Sequence, residues 1–525
     1  MFEHQVHILM KQTKFTPLPL ALMVLGLSFN LQASSSFNIM DYGAVKSWEV
    51  KSTEAIARAI DAASAAGGGT VVIPAGPFLT GPIHLKSHIT LYVEGGAHVK
   101  FSTDFDDYLP MVPSRFEGVE VVNFSPLIYA HKATNIAIKG RGTLDGQGQK
   151  WWSFYYEVQK QTADSQKTKW QREFLEMNPD KTISTTVSGG VPLDFLRPPM
   201  IQPYDCSDVM VEGVFITNSP FWTLSPVYCD NVSIHSVTIR NDEDGPNTDG
   251  INPDSCRNVR ISDCDISVGD DCITIKSGRD ADGRRVGRPA ENYTITNCVM
   301  ANGHGGVVIG SEMSGGVKNI TISNCIFDGT DRGIRLKSTR GRGGVVEDIR
   351  ISNIVMRRIK DQAIRFNMRY TQTDPEPISE RTPVFRNIRI NGLTGDAKTA
   401  GQLIGLEELP LEGLSFSDIK LDTQSGFDLS DVSQIEFRNV IVNTEKGPAL
   451  RIQRGRHLDL SGFKTYQPHA GVAVVSMDRV QQVFVHGCSA PVKTDIFMEM
   501  DQASREAVWM EGNDFREVDH AIHTR

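Results

Sequence analysis

One short phrase recurs along most of the chain, and it restricts the possible folds more than any other feature. It reads Asn-apolar-x-Ile, then a few polar residues, a second apolar pair and a turn rich in Gly, Asp and Asn. Copies include "TNIAIKGRGTL" from Thr134, "DNVSIHSVTI" from Asp230, "RNVRISDCDI" from Arg257 and "KNITISNCIF" from Lys318. Most copies begin about 20–30 residues after the previous one, which is the spacing of a solenoid repeat.

Each copy has the period-2 alternation and the β-branched residues of two short strands, and no long helical pattern separates the copies. A single coil of this kind cannot bury its inner face, whereas stacked coils bury it against one another. We therefore predict an all-β fold, a right-handed parallel β-helix (a single-stranded solenoid) with strands about 4.8 Å apart along its axis.

Two segments depart from the repeat. Residues 34–110 contain "STEAIARAIDAASAAGGG" (52–69), which has a helical apolar face and a glycine stop, followed by strand patterns. We expect a small N-terminal α/β cap region here, whose helix covers the open end of the solenoid. Residues 111–525 would form the β-helix catalytic domain, with a partly helical insertion at about 151–198.

The N-terminus has the pattern of an export signal. Basic Lys11 and Lys14 precede the apolar run "PLPLALMVLGLSF", and "LQAS" offers a cleavage site after Ala33. We predict a signal peptide over residues 1–33 and an exported protein, periplasmic or secreted, that has no membrane contact after cleavage. The net charge of −9 gives no reason to expect a nucleic-acid partner.

The cysteines recur at fixed positions of the repeat, and none forms a CxxC pair that would indicate zinc. Three cysteines precede the phrase by the same number of residues: Cys206, Cys229 and Cys256. Three others share one position within it: Cys264, Cys298 and Cys325. We interpret them as ladders of buried thiols. Disulfides within a column are the second interpretation, because export permits them.

Charged residues interrupt the repeat where four second strands begin, at "NTDGINPDS", "GDDCITIKS", "GHGGVVIGS" and "TDRGIRLKS". Taken alone, the adjacent carboxylates of "GDDCITIKS" are more typical of a solvated turn than of a site. Superposing the four strands brings carboxylates from consecutive coils to one edge, with a histidine on the next coil. The shared column contains Asp249, Asp271, Gly305 and Arg332, and Asp270 and His304 stand one residue earlier.

Crowded carboxylates suit the hydrolysis of a glycosidic bond. The reaction needs one protonated acid for the leaving oxygen and a carboxylate on the other face of the sugar, and crowding keeps one of them protonated. From Arg332 to Arg369 there are eleven Lys and Arg residues against three acids. This basic strip suits an anionic sugar, whose carboxylate Arg or Lys would bind, although some of these residues belong to a solvated face.

The motifs resemble those of glycoside hydrolase family 28, the polygalacturonase family. Asn247-Thr248-Asp249, Asp270-Asp271, Gly303-His304-Gly305 and Arg335-Leu336-Lys337 stand in the order of the family's NTD, DD, GHG and R-x-K motifs, and Tyr370 fits an expected tyrosine. The resemblance implies a right-handed parallel β-helix and inverting hydrolysis of α-1,4-galacturonosyl linkages in pectin or polygalacturonate. It implies no metal and no other cofactor.

The resemblance also implies roles for the matching residues. Asp270 would be the general acid, Asp249 and Asp271 would activate the water, and His304 would support the protonation state of the acid. The residues that would bind or shape the site for the sugar beside the scissile bond are Asn247, Gly305, Arg335, Lys337 and Tyr370.

Three loops favour exo action by walling off one end of the groove, as in bacterial exo-acting members that they resemble. They are "SGRDADGRRVGRPAE" after Lys276, the 151–198 insertion, and "PSRFEGVEVVNFSP" from Pro113. A related activity on rhamnogalacturonan or xylogalacturonan remains an alternative. From other classes we retain a calcium-dependent pectate lyase, since acidic clusters bind calcium, and a non-catalytic carbohydrate-binding β-helix.

Overall fold

A computed structural model describes residues 35–161, 165–179 and 196–525 of the chain. The predicted signal peptide lies outside the described residues. The helices are α1 Thr53–Ala65, α2 Gln149–Gln159, α3 Lys169–Met177, α4 Asp280–Val286 and α5 Gln502–Arg505, with 3₁₀ turns at Ile39–Tyr42 and Phe105–Tyr108. Among the described residues, no helix has both the length and the apolar character that crossing a membrane requires.

The strands are numbered along the chain. The first group is β1 Ser36–Asn38, β2 Ser47–Lys51, β3 Gly69–Ile73, β4 Gly76–Thr80, β5 Ile83–Leu85, β6 Ile89–Val93, β7 Ala97–Phe101, β8 Val112–Phe116, β9 Val119–Asn123, β10 Ile128–His131, β11 Thr134–Gly140 and β12 Thr143–Asp145. The middle group is β13 Ile201–Tyr204, β14 Ser207–Glu212, β15 Phe215–Thr217, β16 Asp230–His235, β17 Thr238–Arg240, β18 Arg257–Ser262, β19 Asp265–Ser267, β20 Asp271–Ile275, β21 Ala290–Thr296, β22 Val299–Ala301, β23 Gly305–Gly310, β24 Val317–Asp328 and β25 Ile334–Lys337. The last group is β26 Val345–Asn367, β27 Val384–Ile404, β28 Leu411–Thr444, β29 Leu450–Ser461, β30 Val475–Asp478, β31 Gln481–His486, β32 Thr494–Met500, β33 Val508–Glu511 and β34 Val518–Thr524.

The strands stack in parallel into three columns, so the predicted right-handed parallel β-helix is confirmed. One column runs β11–β14–β16–β18–β21–β24 and a second runs β12–β15–β17–β19–β22. The third, which we call the cleft column, runs β20–β23–β25 and continues through the C-terminal parts of β26, β27 and β28. Strand alternation points one set of side chains inward, where they form a continuous core.

The recurring asparagine of the phrase has a physical explanation in a ladder on the first column. Asn231, Asn258, Asn292 and Asn319 all have φ between 56° and 64°, the left-handed region that asparagine tolerates better than most residues. Their side-chain amides stack, each donating to the preceding carbonyl at 3.1–3.4 Å. The phrase therefore marks a bend that every coil repeats, with its polar groups satisfied by the next coil.

The cysteine ladders are confirmed as free thiols. All eight cysteines lie among the described residues, and each is buried and unpaired. Cys264 and Cys298 precede the paired residues Asp265 and Val299, and Cys325 continues the same column. The alternative of disulfides within a column is not what the structure contains.

The N-terminal segment is continuous with the solenoid. Helix α1 forms as predicted, and it buries Ile56 and Ile60 against β1, β3 and β5. Strands β6 and β7 pair with β11 and β12, and residues 35–525 form one compact unit. The sequence-based boundary after residue 110 thus marks a change of sequence pattern within the stacked coils.

Candidate active site

Three carboxylates meet where the cleft column begins. The bridge between Ile251 and Ile273 places Asp249 beside Asp271, one coil away. Each of Asp249, Asp270 and Asp271 offers a carboxylate oxygen, and these atoms all lie within 4.8 Å of one another. The adjacent pair reaches one site because the chain bends between them, where the Asp271 amide donates to Asp270 Oδ1 at 2.8 Å.

Asp249 is buried, with 3% of its surface exposed. Asn252 Nδ2 donates to Asp249 Oδ2 at 2.8 Å, and the Thr274 hydroxyl approaches the same oxygen at 3.3 Å. Burial first, and the charge of Asp270 second, raise the pKa of Asp249 to about 8. This carboxyl therefore holds its proton to a higher pH than an ordinary aspartate does.

Asp271 is equally buried but has the opposite protonation behaviour. Lys337 Nζ donates to its Oδ2 at 2.7 Å and Arg335 Nη1 donates to its Oδ1 at 3.3 Å. Burial alone would raise the pKa of Asp271, but the charges of Lys337 and Arg335 outweigh it and lower the pKa to about 2. Both predicted sugar-binding cations thus contact a catalytic candidate directly.

Asp270 is the most accessible of the three acids, and a ring and an amide flank it. His304 Nδ1 lies 3.1 Å from Asp270 Oδ1, and this hydrogen bond, opposed by burial, raises the pKa of His304. On the other side, Asn247 Nδ2 is 3.5 Å from Asp270 Oδ2. Arg197 orients Asn247 by donating to its Oδ1 at 2.8 Å.

A cleft of about 330 Å³ opens over this cluster. All predicted site residues except Gly305 line it: Asn247, Asp249, Asp270, Asp271, His304, Arg335, Lys337 and Tyr370. The structure therefore brings together residues that are up to 123 positions apart, from Asn247 to Tyr370. The Tyr370 ring lies 5.5 Å from Lys337 Nζ and 5.7 Å from Arg335 Cζ.

Gly305 lies beneath the cleft beside Asp271. A Cβ atom at this position would meet Val308 Cγ2 at 2.5 Å and approach Asp271 Oδ1 at 3.2 Å. The missing side chain therefore lets the Asp271 carboxylate occupy its place between the coils. This gives Gly305 a spacing role beside Asp271, and its contact with substrate stays a prediction.

The sequence analysis missed a second buried ion pair in the cleft. Lys276 Nζ donates to Glu312 at 2.7 Å and lies 4.4 Å above the Trp222 ring, and all three side chains line the cleft. Two aligned strands end in Lys-Ser, at Lys276 and Lys337. An outward lysine at the same position of both strands was the signal that would have identified Lys276.

A β-hairpin closes one side of the cleft. Strands β8 and β9 form it, and Glu117 at its tip lines the cleft. The Arg279 amide donates to the Gly118 carbonyl at 3.0 Å, just before α4. Helix α3 supports the hairpin from behind, where Asn178 Oδ1 accepts from the Val122 amide at 2.8 Å.

Among the described residues, the carboxylate trio is also the group that could share a metal ion. Calcium takes about six to eight oxygen ligands and favours ionised carboxylates. Here Lys337 and Arg335 already neutralise Asp271, and Asp249 retains a proton. The donor set therefore fits acid–base chemistry better than calcium coordination.

Comparison with known proteins agrees with this geometry. Residues 196–444 match the model of the glycosyl hydrolases family 28. A probable polygalacturonase of Vitis vinifera is 30% identical over 74% of this chain and 74% of its own length. An endo-polygalacturonase of Pectobacterium carotovorum subsp. carotovorum is 28% identical over 68% of this chain and 80% of its own.

A solved structure is similar as well. The hyperthermoactive exopolygalacturonase of Thermotoga maritima superposes with a TM-score of 0.70 and 37% identity, over 78% of this chain and 92% of that one. The matched residues include the whole carboxylate cluster and the cations that contact it. The chain belongs to glycosyl hydrolases family 28 and is a glycoside hydrolase of the polygalacturonase family.

Proposed function

We propose that the protein hydrolyses α-1,4-galacturonosyl linkages of polygalacturonate from chain ends, with inversion and without a metal. The observation that carries the proposal is the carboxylate trio itself, in which one acid is held ionised and another protonated within 4.8 Å. Glycoside hydrolysis needs this combination of protonated acid and carboxylate. The relatives named as polygalacturonases support the substrate class.

In this mechanism Asp270 protonates the leaving oxygen, because it is the acid most accessible from the cleft. Asp249 and Asp271 polarise the attacking water from the buried side. His304 supports the protonation state of the acid through its 3.1 Å contact with Asp270. When its ring is charged it donates a hydrogen bond to the carboxylate form of Asp270, and when it is neutral with Nδ1 unprotonated it accepts a hydrogen bond from the O–H of the acid form.

The Asp249 and Asp270 carboxyl groups interact electrostatically. Asp249 retains its proton partly because Asp270 is charged, so the same proton on Asp270 would favour the ionised form of Asp249. We propose that one proton is shared between these two carboxyls. Its transfer to Asp270 when the sugar enters produces the general acid and the base in a single step.

Inversion is supported by the resemblance to family 28, and the separation of the acids makes it worth testing directly. Inverting glycosidases usually hold their two carboxyl groups about 6.5–9.5 Å apart and retaining ones about 5–5.5 Å. The oxygens here lie within 4.8 Å. Proton NMR of the first product decides: a β-anomer from the α-linkage supports inversion, and an α-anomer excludes it.

Arg335, Lys337 and Tyr370 would bind the galacturonate on the open side of the cleft. Both cations contact Asp271 and both lie close to the Tyr370 ring, so a sugar carboxylate arriving there would join an existing charge cluster. Asn247 would shape the opposite edge next to Asp270. Gly305 would act by leaving room for Asp271.

Exo action is supported by the hairpin of β8 and β9, which stands across one side of the cleft. A polymer lying through the site would have to pass Glu117. The similarity to the Thermotoga maritima exopolygalacturonase, at 37% identity, supports the same assignment.

A time course on polygalacturonate in the presence of EDTA tests the proposal. We expect undiminished activity, mono- or digalacturonate alone at early times, and no ultraviolet absorbance from unsaturated uronates. A spread of oligomers at early times would replace exo by endo action. Loss of activity with EDTA, or unsaturated products, would instead support the calcium-dependent lyase.

A further inference from the structure

The tip of the hairpin of β8 and β9 has an unexpected residue. The two-residue turn consists of Glu117 and Gly118, whose φ angles are 43° and 78°. Turns with both central residues at positive φ ordinarily have Asn, Asp or Gly at the first position, since a larger side chain strains the backbone there. Glu117 therefore occupies this turn position at a local conformational cost.

A buried ion pair fixes the hairpin on the solenoid. Arg115 Nη1 donates to Asp254 Oδ1 and to Ser255 Oγ, both at 2.9 Å, and the Arg115 and Asp254 side chains are fully buried. At the tip, a Cβ on Gly118 would meet the Arg279 amide nitrogen at 2.8 Å, so the turn presses directly on that segment. The hairpin is thus held at both its stem and its tip.

The Glu117 side chain is aimed into the cleft with one oxygen already engaged. Arg279 Nη1 donates to its Oε2 at 3.0 Å, and 27% of the side chain is exposed. Among the described residues, no hydrogen-bond donor is assigned to the other oxygen, Oε1. Glu117 shares the cleft lining with Trp222 and with the Lys276–Glu312 ion pair.

Under the proposed exo action, the hairpin would exclude a further sugar, so a sugar in the part of the cleft that Glu117 lines would be the last one of its chain. If the closed end receives the non-reducing terminus, that terminal residue presents a free 4-hydroxyl where an internal residue has a glycosidic oxygen. A hydroxyl donates a hydrogen bond, whereas a glycosidic oxygen only accepts one. A carboxylate at this position therefore favours a chain end over an internal residue.

We infer that Glu117 is a specificity-determining residue, whose carboxylate accepts a hydrogen bond from the free 4-hydroxyl of the terminal galacturonate. The inference rests on the proposed exo action. Arg279, which donates to Glu117 Oε2 at 3.0 Å, offsets the charge of Glu117 and so limits its repulsion with the sugar carboxylate.

The experiment compares two trisaccharides that differ at the non-reducing end. One is saturated trigalacturonate, and the other is the 4,5-unsaturated trimer that a pectate lyase produces, which has no 4-hydroxyl. We expect the wild-type protein to prefer the saturated trimer by about tenfold or more in kcat/KM, as for the loss of a hydrogen bond to a charged group. Glu117→Gln should lose most of this preference by slowing only on the saturated trimer.

Two further variants keep the test decisive. Glu120→Gln makes the same change on β9, where Glu120 accepts from Tyr228 outside the cleft, and it should leave the preference unchanged. Glu117→Asn suits the positive φ better, which offsets part of the stability lost with the Arg279 contact, so it should still fold and lose the preference. An equal slowing on both trimers, or a preference that survives in both Glu117 variants, would overturn the inference.

The polymer products separate this result from the proposed function. If the wild-type protein releases only mono- or digalacturonate but its end preference is insensitive to Glu117, the inference alone fails. If polygalacturonate yields a spread of oligomers from the start, exo action fails, and the inference fails with it.

Discussion

Two buried aspartates in different parts of the solenoid have nearly the same immediate surroundings. Asp271 in the cleft contacts Lys337 and Arg335. Asp431, on a later coil in β28, accepts from Arg454 at 2.6 and 2.7 Å and from Arg369 at 2.9 Å. Their side chains are 1% and 3% exposed.

The two aspartates differ in the acidic residues that lie next to them. Asp271 has a second buried acid, Asp249, and a third, Asp270, within reach, whereas Asp431 is absent from any such cluster among the described residues. On the next coil of the cleft column, the residue that aligns with Asp271 is Gly305. On later coils the aligned residues include Thr399 and Ser425. A carboxylate with two cations is thus compatible with simple structural pairing, and crowding of acids is what distinguishes the candidate site.

The largest expected effect comes from making the same substitution at both aspartates. Asp271→Asn should lower kcat on polygalacturonate by about 10²–10⁴-fold, the usual range for loss of a positioned acid or base. Asp431→Asn should leave kcat within a factor of two and lower the free energy of unfolding by about 1–3 kcal/mol, because it leaves two partly solvated arginines without their acceptor. Steady-state kinetics and calorimetry on both variants provide the comparison.

An equal loss of kcat in both variants would mean that Asp271, like Asp431, acts through the stability of the fold. Asp270→Asn serves as the reference for a purely chemical defect. We expect it to lose turnover to a similar degree while still binding the polymer.

Asp249→Asn should combine a loss of turnover with a gain in stability that depends on pH. Burial raises the pKa of Asp249 to about 8, so the native state binds a proton that the unfolded state releases above pH 4. Stability contributed by this group is therefore present at low pH and decreases as the pH rises from about 4 to 8, by at most about 4 kcal/mol at pH 7. The variant has no such decrease.

Calorimetric scans at pH 5 and pH 7.5 measure this difference. We expect the apparent Tm of the wild type to fall more between the two values than that of Asp249→Asn. Parallel shifts in the two proteins would show that Asp249 is ionised in the folded state.

His304→Gln tests the group that adjusts the acid. The contact with Asp270 raises the pKa of His304, so its stabilising contribution is present below pH 6.5 and is lost as the pH rises through the folded-state pKa. We expect kcat/KM to fall about 10–100-fold and one ionisation above pH 6.5 to disappear from its pH profile. An unchanged profile shape would assign that ionisation elsewhere.

The fold was predictable because its determinants repeat. The asparagine bend, the alternating strands and the thiol ladders occur in almost every coil, and superposing the coils was enough to bring Asp249, Asp270, Asp271 and His304 together. That register also placed Arg335 and Lys337 within two coils of the acids. Only the structure could show which side chain each of these two cations contacts.

The closed end of the cleft was less predictable. Its contacts join residues that are far apart and obey no period, such as Glu117 with Arg279, 162 positions along the chain. The sequence indicated that loops wall off the groove. The sequence did not indicate that a strained glutamate lies at the tip of the hairpin. A turn is predicted from its glycine and its polar residues, and these do not reveal the backbone strain at the residue before the glycine.

The smallest expected effect concerns the scaffold that both aspartates share. Cys264, Cys298 and Cys325 stack beneath the strands of the second column, with Cys298 in the middle and 1% exposed. Cys298→Ala removes one sulfur from a packed column, which should cost about 1 kcal/mol of unfolding free energy and leave kcat unchanged.

Because all eight cysteines are free, thiol titration of the unfolded protein without reductant should also find eight. Fewer thiols would mean that disulfides form within the columns, and the Tm of the wild type would then fall on reduction, whereas free ladders make it insensitive to reductant.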